Sequence, residues 1–169
     1  MNIAHASFMP AVGIGMAAST LIGKFLGEKN PDNAGIAVRE AVKWSFLIMG
    51  MGGMLFILLP GWIIPIFSDD PSILIMGKPC LQIIGVLQFF DAVGLTLFFV
   101  LTGAGNTRFP AIVNSMICWM LFLPISYYLG IVKGMGVIGA WLGFSAWIIP
   151  FAIIMVLKVN TGTWKQIEV

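Results

Sequence analysis

Three stretches of this sequence, residues 44–67, 109–132 and 134–157, run their whole length without one charged side chain. An α-helix rises 1.5 Å per residue, so about 20 apolar residues cover the hydrocarbon core of a bilayer. Two further runs, 3–23 and 79–101, have the same length and are broken only by a few polar or helix-bending residues. These are His5, Ser7 and Pro10 in the first run, and Gln82, Gln88 and Asp91 in the second. None of the five alternates with the period of two that marks a transmembrane strand. The sequence therefore predicts an all-α polytopic membrane protein with five transmembrane helices over 3–23, 44–67, 79–101, 109–132 and 134–157.

Composition points the same way. Only 9% of the 169 residues are charged, where a water-soluble domain carries about a quarter. With 59% hydrophobic residues and a mean hydropathy of +1.00, most of the exterior faces the lipid bilayer or other apolar protein. A disordered chain and a disulfide-stapled secreted module are excluded by the same composition. The net charge of +2 is too small to suggest a nucleic-acid partner.

The basic residues are unevenly placed. Lys24, Lys29, Arg39, Lys43, Arg108, Lys158 and Lys165 flank one set of span ends, and only Lys78 and Lys133 flank the other. Cytoplasmic loops carry the excess of Lys and Arg. This predicts a multi-pass protein of the cell inner (plasma) membrane with a cytoplasmic C-terminus and Met1 outside. An external start with no basic leader suggests that the chain is the later part of a longer one. Trp44 and Trp62 bracket the second span, Tyr127 and Tyr128 mark the outer end of the fourth, and the deeper Trp119 and Trp147 read as packing residues.

Residues 24–43 form the only sizeable polar stretch, expected as a loop with a short interfacial helix that runs from Pro31 into the second span, Arg39 and Lys43 facing lipid headgroups. Asn30, Pro31 and Asp32 read as the start of that helix: a cap, a proline in the first turn and an acid near the positive end of the dipole. Asp69 and Asp70 before Pro71 read as a helix cap on the other side. The turn at 102–108 is rich in glycine but lacks the lysine and the preceding strand of a phosphate loop. Gly139 and Gly143, four apart inside the last span, and the cluster Gly50, Gly52 and Gly53 would let helices approach closely. Pro10, Pro124 and Pro150 interrupt the backbone ladder of their helices.

Asp91 is the one acid inside a span. As the thirteenth residue of the 79–101 run it lies near the bilayer midplane, where an ionised Asp facing lipid costs about 2.5–3.5 kcal/mol. It is therefore expected to face the protein interior. Helical periodicity sets Gln88, Gly94, Leu95, Phe98 and Thr102 on its stripe. No Lys or Arg lies at comparable depth, so the carboxyl either keeps its proton or takes up a mobile cation such as Na+. The plainer alternative is a structural Asp hydrogen-bonded to a backbone carbonyl or to Asn114. Asn114 and Cys118, four apart in the fourth span, either join the site or hold helices together. Cys80 and Cys118 lack metal-ligand spacing, His5 reads as interfacial, and Gly143-Phe144-Ser145-Ala146 lacks the second glycine of an intramembrane serine-protease pattern, with no His in a facing span at matching depth. No motif for an enzyme or a bound cofactor is present.

Two stretches carry a family resemblance. The first runs from Phe8-Met9-Pro10-Ala11-Val12-Gly13-Ile14-Gly15 through Ser19-Thr20-Leu21-Ile22-Gly23-Lys24 to Leu26-Gly27 and Asn33-Ala34. The second runs from Gln88-Phe89-Phe90-Asp91-Ala92 through Thr102-Gly103-Ala104-Gly105-Asn106-Thr107 to Pro110, with Trp119, Pro124, Tyr127-Tyr128-Leu129 and Gly139-Ala140-Trp141 following in order. Together they resemble helices eight to twelve of the multidrug and toxic compound extrusion (MATE) transporters. The resemblance implies that the chain forms most of one six-helix lobe. Its partners would be the seventh helix and the N-terminal lobe. It implies antiport of small organic cations, drugs or toxic compounds against Na+ or H+ by alternating access. In one branch of the family an acid on the tenth helix belongs to the cation site, and Asp91 matches that position. Gln88 is then its neighbour, and Phe98, Asn114 and Thr102 are candidate cavity-lining residues. Lys24 stands where a glutamine is common, and Thr102 where the turn often carries arginine.

Two other readings belong to different classes. A short five-span scaffold or assembly subunit would use Asp91 to pair with a basic residue of a partner. A lipid-linked sugar flippase would share the fold.

Overall fold

A computed structural model of the protein describes residues 2–67 and 71–166, with side chains over 7–67 and 74–165. Asp69 and Asp70, and the side chain of His5, lie outside the described residues. The described chain is all-helical. Five long helices form a bundle: α1 (Asn2–Gly27), α2 (Pro31–Leu58), α3 (Pro71–Gly103), α4 (Arg108–Val132) and α5 (Gly136–Asn160). Each contains a segment long and apolar enough to cross a membrane.

Within the polar stretch at 24–43 only Glu28, Lys29 and Asn30 lie outside helices, and the helix expected from Pro31 into the second span is present. The α1 helix continues to Gly27 and α2 begins at Pro31. Lys29 adopts the left-handed conformation, with φ of 55°. Its N–H donates to Leu26 O at 2.9 Å and the Asn30 N–H donates to Phe25 O at 2.8 Å, the paired bonds that close a helix with one left-handed residue. The next helix starts at once, because the Asn30 side chain accepts from the Asn33 N–H at 3.2 Å and Pro31 needs no donor in the first turn. A second turn of the same construction joins α3 to α4. Gly105, at φ 81°, occupies the left-handed position, and Asn106 N–H donates to Leu101 O at 2.9 Å.

The second span is shorter at its far end than the expected 44–67. It stops at Leu58, because Pro60 cannot donate to the ladder, and the chain continues as a short turn, Pro60–Ile63, and a 3-10 turn, Ile64–Ile66. Pro79, expected to open the third span, lies inside α3 instead.

The α3 helix is the axis of the bundle, packing against α1, α2 and α5. Hydrophobic burial does not drive helices together in lipid, so close packing must come from small residues. A Cβ on Gly53 would lie 2.5 Å from Gly85 O, and one on Gly85 would lie 2.7 Å from Gly53 O. Glycine at both positions is thus what lets the α2 and α3 backbones touch. Gly103 meets Ser19 of α1 in the same way, and Gly94 faces Ala152 of α5. Around the end of α3, the buried Leu97, Val100, Leu101 and Ala104 pack with Ile22, Val38, Met155 and Trp164. Trp164 is anchored there by an indole N–H donated to Val159 O at 3.0 Å.

The α4 helix is built differently. Leu123 N–H donates to Cys118 O, one residue further back than in an α-helix, and a widened π turn spans Cys118–Phe122 directly before Pro124. A second π turn covers Tyr128–Val132. Its main partner is α5, where Gly139 admits the Leu129 carbonyl, Gly143 admits Ser126, and Ser126 Oγ donates to Ala140 O at 3.3 Å. Trp119, expected as a packing residue, is instead 72% exposed.

Replacing Gly53 by Val should separate α2 from α3. We expect a loss of about 1–3 kcal/mol, measured as reduced resistance to thermal unfolding in mild detergent. Gly13→Ala, where a Cβ would meet nothing within 4 Å, should be neutral or raise stability by up to about 1 kcal/mol.

Candidate functional site

The contacts of α3 fix its rotation and so decide where its polar residues point. Asp91 is half-buried and faces a cavity of about 220 Å³ between α3, α4 and α5. Leu95 and Phe98 of α3, Asn114 of α4, and Trp147, Ile148 and Phe151 of α5 complete its lining. Three of the residues singled out from sequence, Asp91, Phe98 and Asn114, therefore meet in one place. The walls are aromatic, with the Phe98 and Phe151 rings 6.3 Å apart. Among the described residues Asp91 has no ion-pair partner, and no three His, Cys, Asp or Glu side chains converge there or elsewhere.

Trp147, expected only to pack, belongs to the site. Its indole N–H donates to Asn114 Oδ1 at 2.9 Å, which occupies the amide oxygen and leaves the amide N–H₂ as Asn114's remaining donor. A buried tryptophan usually finds a partner for that N–H. This was the one available sequence signal for the pairing. Phe122 and Phe144 pack edge-on or tilted against the Trp147 ring, with centroids 5.9 and 5.2 Å away. The indole is held from both helices.

Gln88 and Thr102 do not line this cavity. Three residues before Asp91, Gln88 is turned by roughly 60° around the helix. It lies only 1% exposed against α2, where a Cβ on Gly52 would come 3.2 Å from Gln88 Oε1. Neither its amide oxygen nor its amide nitrogen has a hydrogen-bond partner among the described residues. Thr102 is on the Asp91 stripe but roughly 16 Å further along, and its hydroxyl donates to Phe98 O at 2.8 Å. Cys118 lies in the first π turn of α4 as a free thiol, and Cys80 is buried near the start of α3, also free.

The family model MatE matches residues 1–128. The chain belongs to the MatE family. Among curated relatives, it is 34% identical over 98% of its length to a probable multidrug resistance protein NorM of Thermotoga maritima. It is 27% identical, also over 98%, to the multidrug resistance protein MdtK of Edwardsiella ictaluri. In both cases the chain spans 36% of the relative's own length. Its fold superposes on the eukaryotic MATE transporter AtDTX14 with a TM-score of 0.88 at 24% identity, covering 98% of this chain and 37% of that one. An inward-facing multidrug resistance MATE transporter of the MOP superfamily gives 0.84 at 18% identity, covering 99% and 39%. The five helices of this chain thus adopt the MATE arrangement, over slightly more than a third of those proteins.

The Trp147–Asn114 bond is open to a direct check. A double-mutant cycle with Trp147→Phe and Asn114→Leu should return a coupling of about 0.5–2 kcal/mol in detergent unfolding. Strictly additive losses would mean that the two side chains do not pair.

Proposed function

We propose that this chain supplies helices eight to twelve of a MATE-type secondary antiporter, and that Asp91 is the carboxylate through which Na+ or H+ drives export of a small organic cation. The observation that supports this most directly is the position of Asp91. An acid near the middle of α3 opens onto an aromatic cavity and has no basic partner among the described residues. A carboxylate held in that way binds either a proton or a metal cation, and releases it when a cationic substrate takes its place. The aromatic faces of Phe98, Trp147 and Phe151 suit an organic cation, because the negative face of each ring attracts it. Asn114, fixed by Trp147, adds a polar group at the rim without adding charge.

On this reading the α4 face carrying Trp119, and the cavity mouth at Asp91, look toward helices outside this chain: the seventh helix and the other lobe. Alternating access then consists of the two lobes rocking around the midplane, where Asp91 lies. The excess of Lys and Arg at the α1–α2 turn, the α3–α4 turn and the end of α5 supports an inner-membrane protein with a cytoplasmic C-terminus.

In vesicles containing the full-length protein, Asp91→Asn should abolish ion-driven efflux of a fluorescent organic cation while leaving membrane insertion intact. Separate Na+ and pH gradients identify the coupling ion, and undiminished efflux in the Asn variant would remove Asp91 from the mechanism. A lipid-soluble carbodiimide should also label Asp91 in the native membrane, with an organic cation slowing the labelling. Labelling that substrate leaves unchanged would place the binding site elsewhere.

A further inference from the structure

The opposite side of α3 carries a second concavity that the transport reading does not use. Two residues beyond Asp91, and so turned by roughly 200°, Val93 lies at the floor of a groove between α2 and α5. The groove has two connected parts. Near the ends of the helices it opens into a cavity of about 660 Å³ lined by Arg39, Lys165, Asp32 and Trp164, with Val93 and Val156 at its inner limit. Those same two valines begin the second part, of about 400 Å³, which continues between Phe46, Phe90 and Ile153 and is almost wholly apolar. A charged mouth therefore leads into an apolar trough that runs along the helices.

We propose that this groove binds an anionic phospholipid, with its phosphate at Arg39 and Lys165 and one acyl chain along the trough. Charge complementarity selects the occupant. Arg39 has no ion-pair partner among the described residues, and the Lys165 ammonium is engaged only by the Trp164 ring, 5.7 Å from its centroid. Nearby Lys43 differs, since it is paired to Glu40 at 3.5 Å. The lack of a side chain at Gly35 leaves space for the Lys165 chain to cross α2, where a Cβ would stand 3.3 Å from Nζ. Asp32 also lines the mouth, so among the described residues two cations stand against one carboxylate and the lining is net positive. The trough itself gains little by hydrophobicity, because an acyl chain is already in an apolar solvent. It supplies shape, and the headgroup supplies the selection, as in other basic pockets between transmembrane helices.

The test uses the intact protein purified in detergent. It is mixed with phosphatidylglycerol or phosphatidylcholine of identical acyl chains, and the retained lipid is counted by mass spectrometry. Phosphatidylglycerol should be retained about fivefold more than phosphatidylcholine. The double variant Arg39→Gln with Lys165→Gln should erase that preference, and Asp32→Asn should strengthen it, a gain that misfolding does not produce. Ile153→Trp, at an exposed position that would fill the trough, should reduce retention with all charges in place. Equal retention of the two lipids by the unmodified protein, or a preference unaltered in the double variant, would overturn the proposal. So would displacement by glycerol phosphate alone as effective as by the whole lipid, since the occupant would then be a soluble phosphate.

Discussion

Contact between backbones at small residues is the interaction on which the rest of this bundle depends. In a bilayer a leucine gains nothing by leaving lipid for protein, so helices adhere where their surfaces fit at van der Waals distance. Here the fit is made by Gly53 against Gly85, Gly103 against Ser19 and Gly94 against Ala152, which bring α2, α1 and α5 onto three sides of α3. These contacts leave α3 no freedom to rotate. A helix fixed in rotation has every polar side chain assigned to a face, and that assignment separates Asp91 from Gln88 although they are one turn apart.

The two faces so created have different chemistry. Toward α4 and α5, a carboxylate and an amide sit among aromatic rings, and the amide is oriented by an indole. Toward α2 and α5, an apolar trough ends in a cationic mouth. The α4 helix takes part in the first only through its contact with α5, and it is widened on both sides of Pro124. Most of its own surface is exposed, Trp119, Met120 and Ile131 included. A helix so lightly held by its own chain suits a lobe that is completed by helices from elsewhere in a larger assembly.

Much of this was legible in the sequence, for reasons that are local. The cap at Asn30 needs only the residues from Asn30 to Asn33, and the close approach at Gly139 and Gly143 follows from their four-residue spacing. What misled was also local. The charged and polar residues after Gly23 suggest a loop, whereas α1 continues to Gly27. In fact Lys29 closes one helix and Pro31 opens the next, so the charges decorate helix ends. Gln88 was grouped with Asp91 on one stripe, and a turn of roughly 60° toward α2 removed it. Trp147 looked like filler because its partner, Asn114, is thirty-three residues away in sequence.

By itself the sequence determined that the chain is helical, that five of its segments are apolar and long enough to cross a membrane, and that one acid lies inside such a segment. Those follow from the length of apolar runs and the helical rise, which no neighbour can alter. The tertiary structure decided what that acid sees. The direction of a side chain depends on the rotation of its helix, and that rotation is set by glycine contacts with helices distant in the chain. The same contacts put Asp91 opposite Asn114 and Trp147, left Gln88 against α2 without a hydrogen-bond partner among the described residues, and opened the groove on the far side of α3.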